Sequence, residues 1–447
     1  MAKIHPISGF PEWLPRERIV EQTFLDTIRR TFELHGFASV ETRSVEPVDV
    51  LLGKSEVDHE IYALRRLQAD AGDDPAALAL HFDLTVPFAR YVLEHAGKLE
   101  FPFRRYQIQR CWRGERPQEG RYREFVQADI DVVDRDTLSA EYEIEMPLIA
   151  AEALRGLPVP KFRVQVSNRK IPEGFYRGLG LADVVSVLRI VDKLDKLGPD
   201  TVITLLVEEA GATPAQARAC LELAGISSTD GSFADRVLSL GVSDATLQTG
   251  LDELSAVMEA AVEHAPGLLV ADLRIARGLD YYTGTVYETQ LAGHESLGSV
   301  CSGGRYESLA SDGRVTYPGV GISIGVSRLL GRLLGQGHLT ATRSTPTCVL
   351  IALPDTESRS GCMRTAARLR SRGIPAEVSA TAAKYGRQIR FAERRGIPFV
   401  WFPQQDGTHQ VRDIRSGSQI DADPDAWSPP AEDLYPRVIE TPPESLP

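Results

Sequence analysis

The chain is poor in the residues that hold metals or build disulfide frameworks. Its five cysteines, Cys111, Cys220, Cys301, Cys348 and Cys362, are scattered through 447 residues with no CxxC spacing. An odd, dispersed set in a long chain argues against a disulfide framework and against structural zinc. The nine histidines form no HExxH or HxxxH pair, so no protein-ligated metal is expected. No apolar run reaches the roughly 18 residues of a membrane span. The start, Met1-Ala2-Lys3-Ile4-His5-Pro6, lacks the apolar stretch of a signal peptide, so a cytoplasmic location is expected. No P-loop and no G-x-G-x-x-G is present. Lysine is scarce too, at eight of the 50 basic residues, so arginines have to be argued one at a time. The net charge of -12 does not suggest a nonspecific nucleic-acid binder and does not exclude a specific one, because local patches decide phosphate contact.

What is present suffices for two to four globular domains, since hydrophobic residues make up 43% of the chain. Pro15 opens an amphipathic helix with Ile19, Phe24, Ile28 and Phe32 on one face and Gly36 as its stop. Strand-like runs follow at 38–42, 79–82, 103–112, 127–133 and 162–166. Between about 180 and 265 the apolar period becomes helical, with Val187, Val191, Leu194, Leu251 and Leu254 among the stripe residues. Strand character returns at 285–289 and near Cys301. A glycine-rich turn is expected at Gly319-Val320-Gly321, ahead of an apolar helix over 326–334. Beyond a Gly, Thr, Ser and Pro linker, strands and helices alternate from Cys348 to Phe402, the signature of a small α/β domain. The expected organisation is a mixed α/β domain over 1–335 with a helical insertion at about 180–265, a linker over 336–347, an α/β domain over 348–425, and a frayed acidic, Pro-rich tail over 426–447.

Five segments carry polar residues that a folding core does not require. In Arg104–Asp131, Arg113 and Arg121 flank a turn made by Pro117 and Gly120, which would set them on facing strands. A guanidinium binds phosphate oxygens with a planar fork and keeps its charge, and Phe125 offers a face for a base. In Arg274–Glu288, an Arg277-Gly278 pair precedes the adjacent Tyr281 and Tyr282, and glycine lets the backbone approach a ligand. Asp83 lies in the apolar run from Leu80 to Phe88; it either caps the helix carrying Phe88 or meets a substrate cation. Gly319, Gly321, Gly325 and Arg328 suit either a phosphate or a packing turn. Arg364, Arg368, Arg370, Arg372, Lys384, Arg387, Arg390, Arg394 and Arg395 face only Glu377 and Glu393 over residues 364–395. That set is either a solvated helix face or a nucleic-acid contact.

Together these segments resemble the class II aminoacyl-tRNA synthetases, and within them the histidyl-tRNA synthetase family, over about residues 7–402. The resemblance rests on Arg277-Gly278-Leu279-Asp280-Tyr281-Tyr282, on Arg113-Gly114-Glu115-Arg116-Pro117-Gln118 with Gly120-Arg121-Tyr122-Arg123, on Gly325 with Arg328, and on Ser302-Gly303-Gly304-Arg305-Tyr306. It implies an α+β fold: an antiparallel catalytic sheet of six or seven strands, a helical insertion and a C-terminal anticodon-binding α/β domain. It also implies ATP with Mg²⁺, L-histidine, histidine tRNA, and a homodimer joined near residues 37–52. The implied catalytic residues are Arg113 and Arg277, which would hold the α-phosphate. Arg121 and Arg328 would take the outer phosphates, while Glu115 and Phe125 receive adenine. Asp83 and Gln127, with Leu84 and Thr85 beside them, would receive the histidine ammonium, and Asp131, Tyr281 and Tyr282 would shape the imidazole pocket. Arg116, Gln118 and Arg123 would reach the tRNA acceptor end. The chain departs from the family pattern at His81, Arg43 and Ser327, where arginine, proline and an acid are usual.

Overall fold

A computed structural model of the chain describes residues 5–52, 60–67, 78–275, 281–404 and 406–441. The chain divides into two compact units, one formed by the residues up to Pro11 with Phe24–Arg332, the other by Glu12–Thr23 with the residues from Leu333 onward.

The first unit is built on a nine-stranded sheet. Its centre is antiparallel and runs, in spatial order, Phe103–Trp112, Glu124–Val133, Thr316–Gly325, Cys301–Ser311, Tyr282–Leu291 and Phe162–Asn168. Ala38–Ser39 adds a short parallel edge beside Phe103–Trp112. Leu269–Asp272 pairs parallel with Phe162–Asn168 and carries Ser227–Ser228 on its far side. The antiparallel catalytic sheet implied by the sequence is thus present, with extra short strands at both edges.

The sheet forms where the sequence alternates. In Glu124–Val133 the even-numbered Val126, Ala128, Ile130 and Val132 are buried and apolar. The odd-numbered Gln127, Asp129 and Asp131 share the opposite face, because successive side chains of a strand point to opposite sides. The expected turn at Gly319-Val320-Gly321 is not one. These residues lie inside the Thr316–Gly325 strand, opposite Val133, Val132 and Asp131. Their glycines are needed for clearance: a side chain at Gly319 would enter the Tyr306 ring, and one at Gly321 would strike the Asp131 carboxylate.

Between Phe162–Asn168 and Leu269–Asp272 the chain is mostly helical, beginning with Lys170–Gly178 and ending with Ala245–His264. Local chemistry sets these helix starts. Thr213 and Gln216 form a reciprocal capping box ahead of Pro214–Ala224, and Asp244 accepts the amides of Thr246 and Leu247. One apolar cluster of this unit joins Phe82, Val86, Phe88 and Val92 to Tyr306 and Tyr317, with Tyr281 and Tyr282 packed against it.

The second unit carries a five-stranded sheet in the order Ala376–Val378, Val349–Ile351, Phe399–Pro403, His409–Asp413 and Gln419–Asp421. The first three strands are parallel, with helices Arg359–Ser371 and Tyr385–Arg395 supplying the connections. The residues after Asp421 do not fray as far as they are described. Val438–Glu440 pairs with Leu339–Ala341, and the buried Arg343 guanidinium donates to the carbonyls of Asp433 at 2.9 Å and Leu434 at 3.0 Å. No helix among the described residues is long and apolar enough to cross a membrane.

Candidate active site

A cleft of about 530 Å³ opens on the polar face of the catalytic sheet. Among its lining residues are Asp83, Thr85, Arg113, Glu115, Arg121, Phe125, Gln127, Tyr281, Tyr282 and Arg328. Residues from six separate stretches of sequence thus meet in one hollow.

One end of the cleft is basic. Arg113 follows directly on the Phe103–Trp112 strand, with its amide bonded to the Arg123 carbonyl at 2.9 Å. Arg121 is in the intervening hairpin, bridged to Gln118, so Arg113 faces Arg123 and not Arg121 as the turn had suggested. The Arg113 Nε donates to the Phe82 carbonyl at 3.0 Å, and its guanidinium lies 5.1 Å above the Phe125 ring. Arg328 donates to the Ser299 carbonyl at 2.6 Å, and its Nε has no partner. Burial, reinforced by the Arg121 and Arg113 charges, pushes Arg328 down to about 10. Cations that raise one another's cost in this way are poised for an anion. Glu115, 3.5 Å from Arg121, and Glu288 supply carboxylates at the same end. Burial and Asp192 push Glu288 up to about 7 against the pull of Arg328.

The other end is acidic. Of the two parts left open by its sequence position, Asp83 plays the helix cap, and it also lines the cleft. One oxygen accepts the Val86 amide at 3.1 Å at the start of helix Thr85–His95; the other accepts the Tyr281 hydroxyl at 3.4 Å. Burial pushes this carboxyl up to about 6 despite that amide and Arg113. Gln127 donates to the Ser323 hydroxyl at 2.7 Å, leaving its own carbonyl oxygen without a partner. Tyr281 and Tyr282 pack edge to face at 4.9 Å.

Other expected site residues lie elsewhere. Leu84 is wholly buried and Asp131 nearly so; neither is part of the cleft wall. Asp131 sits one layer behind, 2.6 Å from the buried Arg105 guanidinium and accepting the Tyr306 hydroxyl at 2.9 Å. Arg116, Gln118 and Arg123 belong to the hairpin outside the cleft wall, and Arg123 Nε bonds the Glu115 carbonyl at 3.2 Å. Arg277 lies outside the described residues. The reading of the sequence missed Glu60, Tyr122, Asp129, Glu288, Ser302 and Ser323, all in the cleft wall. Strand alternation from Gln127 could have found Asp129, and an acid within the apolar run 285–289 could have found Glu288.

The departures from the family pattern each have local partners. His81 is buried, with Nε2 at 2.6 Å from the Arg110 carbonyl. Ser327 accepts the Val126 amide at 2.8 Å. Arg43 pairs with the buried Glu46, which Arg90 also holds.

A guanidinium-lined mouth joined to an acidic floor on an antiparallel sheet defines a class of enzyme, the class II aminoacyl-tRNA synthetases. The comparisons with known proteins narrow this. The family model described as Histidyl-tRNA synthetase matches residues 9–329, and that of the Anticodon binding domain matches residues 347–426. A histidine-tRNA ligase of Micrococcus luteus is 58% identical over 98% of this chain and 99% of its own. One of Cutibacterium acnes is 56% identical over 99% and 100%. The crystal structure of histidyl-tRNA synthetase from Nostoc sp. PCC 7120 superimposes with a TM-score of 0.84 at 35% identity, covering 94% of this chain and 97% of that one. The chain belongs to the histidyl-tRNA synthetase family.

Proposed function

We propose that this chain is a histidine-tRNA ligase, which activates L-histidine with ATP as histidyl-adenylate and transfers the histidyl group to the 3′ end of histidine tRNA. The observation that carries this reading is the polarity of a single cleft, with Arg113, Arg121 and Arg328 at one end and Asp83, Gln127 and the tyrosine pair at the other.

In the first step a carboxylate oxygen of histidine attacks the α-phosphorus of ATP in line and pyrophosphate departs. The protein's part is positioning and neutralisation of charge. Arg113 is held by the Phe82 carbonyl and would clamp the α-phosphate, with Arg277 as its partner in that role. Arg121 and Arg328 would bind the outer phosphates. Phe125, with Arg113 against its ring, and Glu115 would receive adenine. Asp83 and Gln127 would hold the ammonium, flanked by Leu84 and Thr85. Tyr281 and Tyr282 would line the imidazole pocket, which Asp131 shapes from behind through Tyr306. In the second step the 3′-hydroxyl of the terminal adenosine attacks the carbonyl of the histidyl-adenylate. The acyl–phosphate bond breaks and AMP leaves, with the proton passing to solvent or phosphate. Arg116, Gln118 and Arg123 would contact the acceptor end.

Among the described residues no group of three His, Cys, Asp or Glu is placed to hold a metal. Mg²⁺ typically keeps water and phosphate ligands and needs only one or two carboxylates. Glu288, in the cleft wall beside Arg328, fits that requirement and would hold it together with phosphate oxygens. The ion supplies charge neutralisation for the departing pyrophosphate. The active form would be a cytoplasmic homodimer joined through the region of residues 37–52.

Histidine-dependent ATP–pyrophosphate exchange tests the reading. Arg113→Ala is expected to lower it by about 100-fold or more, with little change in thermal stability. Exchange that does not depend on histidine, or that survives in the variant, would overturn it.

A further inference from the structure

The hairpin between the strands Phe103–Trp112 and Glu124–Val133 does not stand free at its tip. Gln118 and Arg121 bridge each other, which leaves Glu119 and Gly120 as the turn between them. That turn is seated on the helix Val326–Gly335 and on the segment from His294 to Ser299. Gly120 has a φ of 69°, and a side chain there would lie 2.7 Å from Leu297 Cδ1 and 3.2 Å from the Arg328 carbonyl oxygen. From the helix side the fit is as close. A side chain at Gly331 would lie 2.8 Å from the Tyr122 hydroxyl and 3.0 Å from Gly120 Cα. Two glycines thus let one backbone approach the other.

A mostly buried cation ties the seat together. Arg332 Nη1 donates to the Glu119 carboxylate at 2.8 Å, and its Nε donates to His294 Nδ1 at 2.9 Å. Arg328, Gly331 and Arg332 share one face of the helix, at spacings of three and four. The helix that presents Arg328 to the cleft therefore also grips the turn next to Arg121. The same neighbouring segment serves both arginines of the helix, since the Ser299 carbonyl accepts Arg328 and His294 accepts Arg332.

The grip opposes a repulsion. Arg121 and Arg328 both line the cleft, and after burial it is the Arg121 charge that does most to pull Arg328 down. Two guanidinium groups so placed push each other apart until an anion arrives. Arg121 is half-exposed and its ion pair with Glu115 spans 3.5 Å, a contact that holds it only weakly. Charge kept ready for a ligand needs restraint from groups outside the anion site. We infer that Arg332 is a positioning residue of the nucleotide end: by holding Glu119 it keeps the hairpin turn on the helix, and so keeps Arg121 beside Arg328. This rests on the reading of that end as the seat of the outer phosphates of ATP.

The test is histidine-dependent exchange read against both ATP and pyrophosphate. In Glu119→Ala the two KM values are expected to rise together by about 3- to 5-fold, the range of one partly exposed ion pair. Loss of a negative charge would by itself favour phosphate, so a rise reads position and not charge. In Arg332→Ala, which also loses the His294 bond, the rise should be about 10-fold. Inhibition by AMP, which lacks the outer phosphates, should match the wild type in both variants, as should the KM for histidine. The double variant should be no worse than Arg332→Ala, because the two side chains act through one contact. Glu119 is half-exposed, so its variant decides the matter even where Arg332→Ala fails to fold. Unchanged or lower KM values for ATP and pyrophosphate in Glu119→Ala overturn the proposal. So does an equal loss for AMP and histidine, which would mark a general loosening of the cleft, and so does an additive loss in the double variant. Absence of any histidine-dependent exchange in the wild type is a different failure, that of the ligase reading itself.

Discussion

Asp83, Asp129 and Asp131 crowd one buried wall, and Arg105, wholly buried, is the cation bonded to it through Asp131. Burial pushes Asp129 up to about 7 and the other two up to about 6, from an ordinary 3.8. Between those limits the folded chain binds protons that the unfolded chain has released. The contribution of these groups to stability is therefore complete below pH 3.8 and is lost as pH rises through about 6 to 7. Asparagine at 129 cannot ionise, so urea unfolding midpoints of Asp129→Asn and wild type should diverge with pH. The variant should gain on the wild type from pH 5 to pH 8, by on the order of 2 kcal/mol. A difference independent of pH would show that the acid does not titrate out of its usual range. At this scale the sequence exposed arginines near glycines and an isolated acid such as Asp83, because such residues stand out against an apolar background. It hid which of two acids, Asp129 or Asp131, meets the cleft. Both lie on one strand face, and only the third dimension shows that Arg105 and Tyr306 already occupy Asp131.

Among the elements, long strands were legible and crowded ones were not. Phe103–Trp112 has the expected limits because ten residues of strand-forming pattern leave little choice. Val45–Pro47 is three residues long and pairs with Leu78–Leu80 far along the chain, which no local pattern announces. The Thr316–Gly325 strand was misread at its glycines for a physical reason. Glycine marks turns through its free backbone, but within a strand it also marks close approach of a neighbour. Here Tyr306 and Asp131 occupy the space. Gly321→Ala is expected to push Asp131 off Arg105, destabilising the first unit by about 1–3 kcal/mol and raising the histidine KM more than the ATP KM. Gly386→Ala is the control: it lies in helix Tyr385–Arg395 with open space around it and should stabilise or leave unchanged. If Gly321→Ala behaves like that control in calorimetry and exchange, the clearance argument fails.

For the molecule as a whole, the alternation of strands and helices from Cys348 onward made the small α/β fold readable. The grouping of Glu12–Thr23 with the second unit was not, since the helix Pro15–Leu34 has one continuous apolar stripe across it. The basic set of the second unit separates by its partners. Arg368 is paired with Asp423 and Asp425, Arg395 with Glu377, and Arg372 with the carbonyls of Pro424 and Trp427. Arg387, Arg390 and Arg394 are exposed, at spacings of three and four that place them on one helix face, away from the buried Gln388 and Ala392. Among the described residues that face presents three exposed guanidinium groups able to meet phosphate on a protein whose net charge is -12. The double variant Arg387→Glu with Arg390→Glu should therefore leave ATP–pyrophosphate exchange unchanged while raising the tRNA KM in aminoacylation by roughly 10-fold. The salt dependence should weaken with it, the log–log slope of tRNA affinity against salt falling by about 1 to 2, as loss of two phosphate contacts requires. If this helix face meets the tRNA while the cleft alone forms the adenylate, the two assays part company. If exchange and charging fall together, or the salt slope is unaltered, this helix face does not carry the nucleic acid.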